Sequence, residues 1–144
     1  MDYCLINVGN DDRLIIFEIK KSSVKKYVEE IWGWNENYQL KNFNEDFIPA
    51  NFKKIVCNNN IIGFLETNEN DRVVNITEIH LIPDFHGKGI GSKIINDIIK
   101  KARLNNKIIT VGCFKKNIRA TSLYLKLGFQ KVKETDTHIL FEYT

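Results

Sequence analysis

The run Pro83-Asp84-Phe85-His86-Gly87-Lys88-Gly89-Ile90-Gly91-Ser92 holds the residues best placed to do chemistry. Three glycines at alternate positions follow a β-patterned stretch (Val73–Ile82) and open a helical one. Glycine accepts positive φ, so successive N–H groups can point one way, and it has no side chain to hold a ligand off. The first turn of the next helix adds unpaired N–H donors and the positive end of the helix dipole. Together these make a socket for a phosphate or pyrophosphate.

Common nucleotide loops fit this run badly. A P-loop needs Gly-x-x-x-x-Gly-Lys-Ser/Thr, which is absent. The dinucleotide fingerprint Gly-x-Gly-x-x-Gly breaks at Ser92, and after Asp97 the next acid is the distant Glu134. Kinase signatures are missing too.

Charge is distributed to match an anionic ligand. From His86 to Lys131 stand eleven Lys or Arg against Asp97 alone; that segment is +10 within a chain of net charge +3, leaving −7 elsewhere. Solvated helix faces account for many of these lysines. No nucleic-acid module is recognisable among them, and only Phe114, Tyr124 and Phe129 supply aromatics, so no nucleic-acid partner is expected. At 144 residues the chain reads as one domain, residues 1–144, with ordinary globular composition. Cys4, Cys57 and Cys113 form no metal-ligand spacing, nor do His80, His86 and His138, so no metal is expected. No signal peptide or membrane-length apolar run is read, which points to a reducing cytoplasm.

The elements that must position the loop follow from periodicity and punctuation. Tyr3–Val8 reads as a strand, a helix starts at Gly9-Asn10-Asp11, and a second runs from Ser23 into Trp32-Gly33-Trp34. Phe52–Cys57 and Ile61–Glu66 read as a hairpin about Asn58-Asn59-Asn60. Ile90, Ile94, Ile95, Ile98, Ile99 and Ala102 form a buried helical stripe. A strand over Lys107–Cys113, a helix over Asn117–Leu127 closed by Gly128, and strands Phe129–Glu134 and His138–Tyr143 complete the chain. This order predicts an α/β domain with a mixed, mostly antiparallel sheet and helices on both faces.

Two signatures resemble the GCN5-related N-acetyltransferase (GNAT) superfamily. Its loop Gln/Arg-x-x-Gly-x-Gly/Ala is matched by His86-Gly87-Lys88-Gly89-Ile90-Gly91, with His86 the departure. Its Asn-x-x-Ala-x-x-x-Tyr-x-x-x-Gly-Phe is met by Asn117, Ala120, Tyr124, Gly128 and Phe129. The element order agrees from Tyr3 to Tyr143. The resemblance implies a GNAT-like fold and an acetyl-CoA site. The backbone of Ile79, His80 and Leu81 would pair with the pantetheine arm; His86, Gly87, Lys88, Gly89, Ile90, Gly91 and Ser92 would hold the pyrophosphate. Asn117 would bond the cofactor near its arm, and Tyr124 would lie beside the sulfur.

The implied reaction is direct attack of an amine on the thioester. Tyr124 is the candidate general acid; a tyrosine at its spacing is equally an ordinary core aromatic. Some relatives place a Glu base where this chain has Gly112, which leaves Glu78 and His80 as base candidates, against surface-carboxylate and half-buried-imidazole readings. Cys113 invites a covalent route, which its isolation from any His in sequence disfavours. Trp32, Trp34, Tyr38, Gln39 and His138 are the acceptor-binding candidates, although aromatics more often pack a core. The acceptor is expected to be a small-molecule or peptide amine, and the protein a monomer or homodimer. A non-catalytic acyl-CoA-binding or basic interaction module on the same fold is the alternative.

Overall fold

Ser23 lies inside a helix rather than heading one. The computed structural model, which describes residues 2–144, runs a single helix α1 over Arg13–Trp32 where the sequence reading expects two. The Ser22 hydroxyl donates to the Ile19 carbonyl at 2.7 Å, back-bonding that satisfies it without a cap. Buried Ile16, Phe17 and Ile19 before it, and Val24 and Val28 after it, keep one face packed across the expected break. Gly33, at φ +82°, ends the helix. Asn35 then caps α2 (Glu36–Asp46), accepting from the Tyr38 N–H at 2.9 Å. The two expected helices are therefore one, and α2 occupies a stretch after Trp34 where no helix is expected from the sequence.

The backbone packs as two compact units, residues up to Glu66 with Ile79–His86, and Thr67–Glu78 with Gly87–Thr144. In the first, β1 (Cys4–Asn7), β2 (Phe52–Cys57) and β3 (Asn60–Glu69) pair antiparallel in sequence order. The β2–β3 turn is Asn58-Asn59, both at positive φ (51° and 65°), as a two-residue primed turn requires. Register passes from Ile55↔Gly63 to Val56↔Ile61, so Ile62 is the extra residue of a bulge. Ile16, Phe17 and Ile19 of α1 and Phe43 of α2 meet Phe47, Phe52 and Phe64 in one buried cluster. The Phe47–Phe52 ring centroids lie 4.9 Å apart and Phe43–Phe17 5.4 Å. Truncating such a buried ring to alanine costs roughly 3–5 kcal/mol.

The second unit is built on β4 (Val73–Leu81), whose last three residues belong to the first, with α3 (Ile90–Leu104) and β5 (Ile108–Phe114). β4 and β5 run parallel, in register from Val73↔Ile108 to Ile76↔Val111, and α3 supplies the crossover a parallel pair needs. Ile90, Ile94, Ile95, Ile99 and Ala102 are buried as the stripe predicts, whereas Ile98, at the margin of that face, is half-buried. α4 (Ile118–Lys126), β6 (Gln130–Glu134) and β7 (His138–Tyr143) follow, with β7 antiparallel to both β5 and β6. The strand order is β1-β2-β3-β4-β5-β7-β6. The sheet is mixed and mostly antiparallel, as expected.

Candidate functional site

The glycine run adopts the backbone an anion socket requires. Leu81 ends β4, Pro83–Phe85 make a 3-10 turn, and Gly87 and Gly89 take φ of +72° and +80°. Gly89 is the N-cap of α3 and offers no side-chain cap. The first bond into the helix runs from the Lys93 N–H to the Gly89 carbonyl at 3.0 Å. The N–H groups of Ile90, Gly91 and Ser92 precede it and have no intrahelical acceptor. No acidic residue stands in that first turn to compete for them. A β-carbon on Gly87 or Gly89 would meet nothing within 4 Å; these glycines serve the backbone's left-handed turns, and the space beside them is open. Lys88 is exposed between them. The donor set and the open cradle fit a diphosphate.

His86 ties this loop to the strand before it. Its Nε2 lies 2.7 Å from the Leu81 carbonyl oxygen, and since a carbonyl only accepts, Nε2 is the donor. The backbone at the end of β4 divides between two edges. A β-carbon on Gly63 would lie 2.0 Å from the His80 carbonyl oxygen, and the Ile82 N–H donates to the Ile62 carbonyl at 2.8 Å; both face β3. Alternation turns the backbone groups of Ile79 and Leu81 to the opposite edge. Of the three residues expected to pair with a ligand arm, Ile79 and Leu81 therefore present groups to that edge, while His80 directs its carbonyl at β3. The His80 ring is half-buried, 5.2 Å from Phe64, and Glu78 is half-buried near the strand end.

The second signature resolves into two helix caps. Asn117 Oδ1 accepts from the Ala120 N–H at 3.1 Å, which is the N-cap of α4 and uses the Asn-x-x-Ala spacing. Its Nδ2 is the group with which it could donate to a ligand. At the other end the Gly128 N–H reaches Leu125 O (3.1 Å) and the Phe129 N–H reaches Tyr124 O (3.0 Å), with Gly128 at φ +102°. This is a Schellman closure. Its accompanying apolar contact is Tyr124 on Phe129, 5.7 Å between rings. Tyr124 also packs 5.5 Å from Phe141 and is 4% exposed. Burial, and then the charge a deprotonated Cys113 would carry, push its phenol well above the ordinary tyrosine range. Burial likewise pushes the Cys113 thiol up, and its Sγ lies 3.5 Å from Thr121 Oγ1. A thiol so held is a poor nucleophile. At Gly112, paired with Leu140, no side chain exists to act as a base.

The acceptor candidates have different surroundings. Trp32 and Tyr38 are 63% and 60% exposed, and Gln39 is half-buried. Trp34 is half-buried and packs against the buried phenylalanine cluster, with Nε1 donating to Glu36 Oε1 at 2.8 Å. His138 is exposed on β7, 4.4 Å from the Phe114 ring, with Nδ1 2.8 Å from Thr137 Oγ1. Sequence reasoning passed over Gly63, although a glycine inside a strand pattern signals close backbone approach. Among the described residues, no three His, Cys, Asp or Glu could hold a metal ion, and no helix is long and apolar enough to cross a membrane.

The model of the acetyltransferase (GNAT) family matches residues 16–129. A Methanocaldococcus jannaschii protein described as the uncharacterized N-acetyltransferase MJ1207 is 28% identical over 143 residues, which cover 90% of this chain and 61% of that protein. The chain spans between 31% and 61% of the length of the curated relatives it matches. Among solved structures, the PaiA N-acetyltransferase of Thermoplasma acidophilum, in complex with coenzyme A, superposes with a TM-score of 0.77 at 17% identity, covering 100% of this chain and 99% of that one. A GNAT family acetyltransferase of Elizabethkingia anophelis with acetyl-CoA bound gives 0.55 at 21% identity over 63% of this chain and 73% of its own. At these identities the structural likeness concerns the fold.

Proposed function

The chain belongs to the acetyltransferase (GNAT) family, and from that premise we propose that it transfers an acetyl group from acetyl-CoA to a primary amine of a small molecule or peptide. The observation that carries the reading is the pair of left-handed glycines, Gly87 and Gly89, opening α3 onto open space without a side-chain cap. This reading takes residues 1–144 as one catalytic domain.

Acetyl-CoA would supply the acetyl group as an activated thioester. The N–H groups of Ile90, Gly91 and Ser92 would hold the pyrophosphate, with Lys88 adding positive charge beside them. The outward backbone groups of Ile79 and the Leu81 N–H would align the amide-bearing arm as an added strand would be aligned, while the Leu81 carbonyl accepts from His86. Asn117 would donate from Nδ2 while its Oδ1 keeps the helix capped. Tyr124 would serve as the general acid: its phenol, held protonated by burial, would donate a proton to the departing thiolate of the thioester that acetyl-CoA supplies. Glu78 or His80 would take the proton the amine nitrogen loses, through a water. Trp32, Trp34, Tyr38, Gln39 and His138 would be the candidates for binding the acceptor. Holding amine and thioester in contact lowers the barrier by several kcal/mol before any proton moves.

A thermal-shift titration with acetyl-CoA, coenzyme A, ATP and NAD tests the cofactor. A ligand at a hundred times its Kd adds about 2.7 kcal/mol to the folded state. The expected result is a shift with the two CoA ligands alone. No shift with either would leave a basic interaction module as the better account.

A further inference from the structure

We infer that His86 is a positioning residue for the glycine loop, a latch that fixes the socket rather than a direct ligand of the anion. The inference rests on reading Gly87–Ser92 as the pyrophosphate socket.

Three features of the backbone converge on this imidazole. The chain leaves β4 at Leu81 and must turn through Pro83–Phe85 before the first left-handed glycine, Gly87. Two N–H bonds hold that turn, Phe85 to Ile82 O and His86 to Pro83 O, each 3.0 Å. Both span only three residues and act within the turn. The His86 Nε2–Leu81 O bond, at 2.7 Å and half-buried, reaches back to the strand itself. It closes a ring of backbone from Leu81 to His86, one residue ahead of Gly87. Small rotations at His86 would swing every later N–H of the loop. An anchored His86 therefore sets the direction in which the socket's donors face before any ligand arrives, which reduces the ordering cost of binding.

The same bond explains how histidine serves at this position. Nε2 stands three bonds beyond Cβ, as does the amide nitrogen of glutamine, whereas the asparagine nitrogen stands one bond nearer and falls short of Leu81. A nitrogen donor at the correct reach is the requirement, and a fixed positive charge is not.

The test uses the full chain, with coenzyme A as the probe, and compares wild type, His86→Gln and His86→Asn. Affinity is read by calorimetry, and amide hydrogen exchange at Phe85, His86 and Lys93 is read without ligand. His86→Asn is expected to weaken coenzyme A binding about tenfold, within the range of one hydrogen bond, and to speed exchange at Phe85 and His86. In turnover the loss should fall on KM for acetyl-CoA more than on kcat. His86→Gln should restore both binding and protection. Equal impairment in Gln and Asn variants would mean that the imidazole itself meets the ligand, and unchanged binding and exchange in both would show no latch; either overturns the inference. Wild-type protein that fails to bind coenzyme A overturns the functional reading instead, and the exchange rates then decide the latch alone.

Discussion

Gly63 and the His80 carbonyl approach so closely that a β-carbon on Gly63 would lie 2.0 Å from that oxygen. The neighbour is backbone, so no rotamer change relieves the clash. The contact sits one residue beyond the Ile62 bulge and fixes which edge of β4 His80 faces. Gly63→Ala should therefore push β4 away from β3 and cost about 3 kcal/mol, the upper end of overpacking. Gly9→Ala, where a β-carbon meets nothing within 4 Å, should stay within about 0.5 kcal/mol. Urea unfolding of the two variants makes the comparison, and equal stabilities would contradict the close approach.

Gly89 separates folding from binding. Its φ of +80° penalises most side chains, but asparagine visits this region readily. Gly89→Asn should keep the unfolding free energy within about 1 kcal/mol of wild type. Its side chain would fill the open space beside the loop, and affinity for coenzyme A should fall by at least about tenfold. Unchanged affinity would place the pyrophosphate elsewhere.

Asn117 has two polar ends and two assigned tasks. Asn117→Ala removes the cap on α4 and should cost about 1 kcal/mol. Asn117→Ser keeps a capping oxygen but has no amide nitrogen. Stability should then hold while acetyl-CoA affinity drops. Should the serine variant bind acetyl-CoA as wild type does, Asn117 is a cap and nothing more.

The division between what the chain announced and what it concealed follows the range of the interactions. The isoleucine stripe of α3, the turn at Asn58-Asn59 and the Gly128 stop are local consequences of periodicity and positive φ, and all three were readable. The GNAT signatures were readable for the same reason: much of the second one is a pair of helix caps. Ser23 misled because a serine fits a helix start as well as a helix interior. Packing of Ile16 and Val28 against other elements decided between them. The Gly63–His80 approach, the His86–Leu81 bond and the burial of Trp34 depend on partners brought together by the sheet or the core, and no local pattern fixes them.

Tyr124 makes the sharpest claim on mechanism. Tyr124→Phe keeps the ring contacts with Phe129 and Phe141 and removes the hydroxyl. kcat should fall by roughly 10²-fold, the usual worth of a positioned acid, with acetyl-CoA affinity nearly unchanged. Because burial raises the folded-state pKa above the ordinary value of 10.0, the native state holds its proton where the unfolded state has begun to lose it. The stability this contributes is complete below pH 10 and is lost as pH rises from there toward the folded pKa. Wild-type kcat should accordingly show no basic limb from Tyr124 below about pH 10. Alkaline unfolding should steepen in wild type relative to the phenylalanine variant. A phenylalanine variant with near-wild-type kcat removes Tyr124 from the reaction and leaves it as the aromatic half of a helix cap.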